Sequence, residues 1–130
     1  MNLLMQHPAP QDLIDSFGHG SHVAGTILGS PYGTTPGSTP NAATGMAPGA
    51  KLAFMDLSSG NSDVVWTPGD LGNSYFQRTF SMGARVHSDS WGSDLTVYDS
   101  MAASADRFMW LHQDFVSVFA GESEGLHGSC

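Results

Sequence analysis

Two imidazoles three positions apart, His19 and His22, stand in the run Gly18, His19, Gly20, Ser21, His22, Val23, Ala24, Gly25, Thr26. Imidazole changes charge near neutral pH, so the chemistry offered is general acid–base catalysis or metal ligation. Residues three apart share a helix face and zinc favours imidazole nitrogen, which gives the pair a metal reading. That reading lacks ligands: no Glu lies between the two histidines and the chain has one cysteine, Cys130, so no zinc-peptidase or zinc-finger pattern is completed. No metal ligand is therefore assigned, and a metal-dependent hydrolase built on His19 and His22 is the weakest alternative.

The elements that must hold His19 follow from periodicity. Val23, Ala24, Ile27 and Leu28 recur at helical spacing and predict a helix over about His19 to Leu28. Asp15 or Ser16 would cap it. His19 then sits at a helix N-terminus, where the dipole favours the neutral ring that a general base needs. Gly18 and Gly20 permit a tight turn and close approach of another chain. A lone histidine at a helix start is more often a structural, hydrogen-bonded residue, and that bland reading stands beside the catalytic one.

Downstream, Gly29 to Thr44 is broken by Pro31, Gly33, Pro36, Gly37 and Pro40 and reads as a loop. Ala53 to Leu57 reads as a buried strand after a turn. Asp70 to Met82 suits an amphipathic helix and Ala84 to Trp91 a strand. Val97 to Gln113 is a stronger helix with Asp99 near its start, followed by a strand over Phe115 to Ala120. Strands alternating with helices predict an α/β fold: a three-layer arrangement with a mainly parallel sheet and helices on both faces.

Composition narrows the partners. With 130 residues and 40% hydrophobic residues the chain has the length of one domain, and its 16 glycines with only 12% charged residues fit a loop-rich α/β protein. A net charge of −8 with four Lys and Arg argues against nucleic acid and against an anionic membrane surface. No apolar run is long enough to span a bilayer and Met1 to Pro10 does not resemble a signal peptide. Cys130 admits no internal disulfide, so thiol usage does not set the compartment.

The histidine run resembles that of the subtilases, the subtilisin-like serine peptidases, whose pattern Gly-His-Gly-Thr-His-Val-Ala-Gly-Thr differs only at Ser21. The resemblance implies that His19 is the general base of a Ser-His-Asp triad, that Gly18, Gly20, Ser21 and His22 are structural parts of the motif, and that His22 is a buried ring. A second similarity, Gly45 to Leu52 against the family's Gly-Val-Ala-Pro-Gly-Ala-Lys-Leu, follows in the family's order. A third is Arg85 to Gly92 against Ile-Asn-Ser-Asn-Ser-Trp-Gly, which implies that Ser90, Trp91 and Gly92 offer backbone groups to an extended polypeptide substrate. Asp89 replaces an Asn there, and its charge is expected near the cleft, favouring basic substrate residues.

Phe119 to Gly125 resembles Phe-Ala-Ala-Gly-Asn-Glu-Gly, whose Asn holds the oxyanion. That position falls on Ser123, or on Glu122 if Gly121 is matched to the motif glycine. A serine hydroxyl donates from a shorter arm, whereas a carboxylate repels the developing charge. No Asp-Thr-Gly or Asp-Ser-Gly segment after an apolar strand precedes His19, and no Gly-Thr-Ser-Met-Ala segment follows Gly125, so neither Asp12 nor Asp15 is a triad aspartate and the nucleophile is absent. Residues 1–130 are thus expected to be an internal part of a subtilase catalytic domain, matched over about 15–125, and inactive by themselves. The family implies a secreted or lumenal setting and allows calcium, while the chemistry requires no cofactor. The alternative is a peptide-binding module that keeps the cleft walls without the chemistry.

Overall fold

The computed structural model describes residues 15, 17–31, 39, 43–57, 65–92 and 97–121. The chain divides into two compact units, Met1–Thr67 and Pro68–Cys130, taken in turn.

In the first unit the predicted helix forms as α1, His19–Leu28. It begins after Gly18, whose φ of 72° is left-handed and suits glycine. Its half-buried residues are Gly20 together with Val23, Ala24, Ile27 and Leu28, the last four being the apolar stripe read from the sequence. Helix C-termini leave carbonyls without partners. Here the second motif supplies them: Met46 N–H donates to Thr26 O at 3.0 Å and Ala47 N–H to Ile27 O at 2.7 Å. The Gly45–Leu52 segment is thereby tied to the far end of the histidine helix.

The strand expected over Ala53 to Leu57 does not form. Only Phe54 makes an isolated bridge, and of this run only Leu57 is buried. An apolar run of strand length becomes a strand only when a continuous partner pairs with it, and here the described pairing is limited to one bridge and a Trp66 N–H to Leu57 O bond of 2.8 Å.

The second unit carries the predicted alternation. A π-helical turn, Gly72–Phe76, runs into α2, Gln77–Ser81. Together with Leu71 they occupy the predicted Asp70–Met82 helix. Gly72 lies against α3, Ser100–Leu111, where a Cβ on it would come within 3.4 Å of Phe108 Cβ. α2 ends in a Schellman motif: Gly83, at φ 97°, donates to Phe80 O at 2.9 Å while Ala84 N–H reaches Thr79 O at 3.0 Å. The chain then enters β1, Val86–Asp89. α3 is capped by Asp99, whose carboxylate accepts from Ala102 N–H at 2.9 Å, and leads to β2, Val116–Phe119.

β1 and β2 pair in parallel, with Val86 opposite Val116 and Asp89 opposite Phe119. The core beneath them is aromatic. Phe76 is fully buried and its ring lies 5.3 Å from Phe115, 5.6 Å from Phe108 and 5.0 Å from His87. The opposite face differs from the expectation of a sheet covered on both sides. Val86 is 70% exposed and Val118 55% exposed, and the sheet described has two strands with one covered face. Strand alternation turns His87 and Asp89 inward and Val86 and Ser88 outward, so these last two lie on the exposed face.

Candidate active site

His19 occupies the first position of α1 and is exposed. Three neighbours fix its backbone. Asp15 accepts from Gly18 N–H at 2.8 Å through Oδ1 and from Ser21 N–H at 2.6 Å through Oδ2, bracketing the histidine with one carboxylate. Gly18 supplies the left-handed turn before it. Gly20 packs so closely on Phe54 that a Cβ there would stand 2.9 Å from the ring Cζ. The cap position falls on Gly18 rather than on Asp15 or Ser16, and Asp15 reaches the helix start from three residues earlier, both its oxygens engaged by backbone amides rather than aimed at the imidazole.

The Ser21 N–H above all, joined by the Ser21 hydroxyl and then the Gly18 N–H, holds the Asp15 carboxyl below its ordinary value of 3.8 against the opposing effect of burial. A lowered folded-state pKa contributes stability that is present above 3.8 and is lost as pH falls through the lower folded value. The expected outcome for Asp15→Ala is a loss of about 1 kcal/mol of α1 stability at pH 6, as for exposed helix caps. Faster hydrogen exchange at the Ser21 amide would register it, and the difference from wild type should vanish at the acid end of the titration. Unchanged exchange at pH 6 would show that the carboxylate does not hold the helix.

His22 differs from the expectation of a buried ring. It is exposed on α1, and no residue of that helix is fully buried. The apolar stripe at Val23, Ala24, Ile27 and Leu28 takes the packed side of the helix, which leaves position 22 outside it. Among the described residues no group of three or more His, Cys, Asp or Glu could hold a metal ion.

In the second unit, Ser90 and Trp91 are half-buried and Gly92 is exposed at the end of β1. They directly follow Asp89, and here the structure corrects the sequence reading. Asp89 does not present charge to a cleft: it is 1% exposed and faces the interior. Its Oδ2 accepts from His87 Nδ1 at 2.9 Å and from Ser117 Oγ at 2.9 Å, and its Oδ1 accepts from the Trp91 indole N–H at 3.1 Å. The Tyr75 ring stacks edge-on against His87 at 4.7 Å, and burial, then the Asp89 charge, pushes its phenol well above the usual tyrosine range. The sequence held a sign of this cluster: His87 and Asp89 are two apart in a strand and must share a face. Oxyanion candidates Ser123 and Glu122 lie outside the described residues. The two site segments, 18–22 and 90–92, belong to separate units.

With this geometry in place, the comparisons assign the class. The sequence profile of the Subtilase family matches residues 6–123, and the chain belongs to that family. Three relatives from Dictyostelium discoideum are similar to it, each named a serine protease/ABC transporter B family protein. The one designated tagA is 38% identical over 82% of this chain and 6% of its own length. For tagD the values are 37%, 92% and 7%, and for tagB 34%, 86% and 6%. The chain thus spans less than a tenth of the length of these relatives. No solved structure matches it. No helix among the described residues is long and apolar enough to cross a membrane.

Proposed function

We propose that residues 1–130 form the histidine-bearing part of a subtilisin-like serine endopeptidase domain. The family match across both site segments, together with an exposed imidazole at a clamped helix start, supports this reading. His19 takes the proton from a serine hydroxyl as it attacks the peptide carbonyl, then returns it to the departing amine. The serine and the aspartate that orients the imidazole come from outside this chain, so residues 1–130 alone do not hydrolyse peptides. Ser90, Trp91 and Gly92 pair with the backbone of an extended polypeptide, Gly92 leaving room for the side chain beside the cleaved bond. Ser123 donates to the oxyanion. In the complete domain the outward face of β1 and β2 is covered, giving the three-layer α/β fold. Catalysis needs no cofactor, and calcium enters only as a structural ion by family analogy.

A fluorophosphonate probe, which captures only an activated serine, tests the proposal. The full-length protein should be labelled at one serine, with labelling abolished by heat denaturation, while the 130-residue chain stays unlabelled. An unlabelled full-length protein that still binds peptides would establish the rival reading of a binding module, which the departures at Glu122 and Ser123 from the family's Asn favour.

A further inference from the structure

We propose that Asp89 is a positioning residue for the substrate edge: its buried carboxylate fixes the Trp91 indole and, through it, the backbone of Ser90 to Gly92. The inference rests on the reading of that segment as the edge that binds peptide.

A carboxylate turned into an aromatic core needs donors for both oxygens, because an unpaired buried charge is strongly unfavourable. Asp89 has three. They come from separate places in the chain: His87 from its own strand, Ser117 from the neighbouring strand, and Trp91 from the segment that leaves the sheet. The first two meet Oδ2 and anchor the carboxylate inside the sheet. The third meets Oδ1 and reaches outward to the edge. Trp91 is further held by the Phe119 ring, 5.5 Å away and nearly perpendicular, and by Tyr75 at 6.4 Å. Rotation of the indole would break the Oδ1 bond and pull the Ser90–Gly92 backbone with it. The edge is therefore held by the Asp89 side chain, and a held edge is what an extended peptide requires of the strand it pairs with.

The split between the two oxygens makes the role separable. In Asp89→Asn the amide oxygen can keep the Oδ2 donors, His87 and Ser117, but its NH₂ then faces the indole N–H, donor against donor. In Trp91→Phe the donor is deleted while a ring stays. Both changes should loosen the edge without removing its backbone.

The test uses the full-length protein in a His19→Ala background, which keeps the peptide uncleaved, with ¹⁵N-labelled tryptophan whose indole N–H signals are followed and an acetylated, amidated tetraalanine peptide as the probe. In Asp89→Asn the Trp91 signal, identified by its absence from Trp91→Phe, should move while the remaining indole signals stay. Peptide affinity should fall about tenfold in both variants, the size of one charge-assisted hydrogen bond. Gly92→Val serves as the control for the edge itself and should abolish binding. If Gly92→Val binds like the His19→Ala parent, or that parent does not bind, the edge reading fails and this inference with it. If Gly92→Val loses the peptide while Asp89→Asn and Trp91→Phe keep full affinity, the edge stands and the positioning role of Asp89 is overturned. Should Asp89→Asn not fold, Trp91→Phe decides alone.

Discussion

His19→Ala in the full-length protein is expected to lower kcat/KM by a factor on the order of 10⁴, the upper range for removing a general acid–base group. Nearly all of the loss should fall on kcat. The structure gives the reason why so small a change can be read cleanly: His19 is exposed, α1 has no fully buried residue, and the Asp15 clamp grips the backbone amides of residues 18 and 21 rather than the ring. Alanine is also the strongest helix former, so α1 should persist. Unchanged far-ultraviolet circular dichroism beside the activity loss would complete the result. Peptidase activity within tenfold of wild type would remove His19 from the chemistry.

The largest effect on stability is expected from Phe76→Ala. Phe76 is 0% exposed and sits among Tyr75, His87, Phe108, Phe115 and Phe119. Truncating a buried Phe costs about 3–5 kcal/mol through lost transfer energy and the cavity left behind. A unit the size of Pro68–Cys130 has roughly 3–9 kcal/mol in total. The variant should therefore lose its near-ultraviolet circular dichroism and unfold without a cooperative transition at room temperature. A cooperative melt lowered by only a few degrees would mean that the rings close over the gap, and that the cluster is more plastic than its packing implies.

Where local chemistry sets the structure, the sequence was readable. α1 begins at His19 because glycine takes the left-handed turn and Asp15 binds the amides of residues 18 and 21, and both signals lie within a few residues. Asp99 likewise marks the start of α3. The sequence misled where the outcome depends on distant partners. Ala53 to Leu57 has the composition of a strand, yet pairing is a property of two segments and only Phe54 bridges. His22 shares a motif with His19 but not the packed side of its helix. Asp89 shows the limit most clearly: a charged residue beside a substrate segment reads as a specificity determinant, and strand alternation instead buries it where Ser117, 28 positions later, completes its donors. That partnership has no local signature.

The same alternation has a consequence for how the second unit folds. The inward row of the strand pair carries His87, Asp89, Ser117 and Phe119, while the outward row carries Val86, Ser88, Val116 and Val118. Three valines face outward, so the opposite facing would bury them in exchange for Phe119 and leave the carboxylate in water. The native facing is supported by hydrogen bonds to Asp89: those from His87 and Trp91 are local to β1, and that from Ser117 forms once β2 has arrived beside it. The facing of this strand pair is thus fixed by a buried carboxylate and its donors rather than by apolar content, so the choice between its two sides hangs on a single side chain.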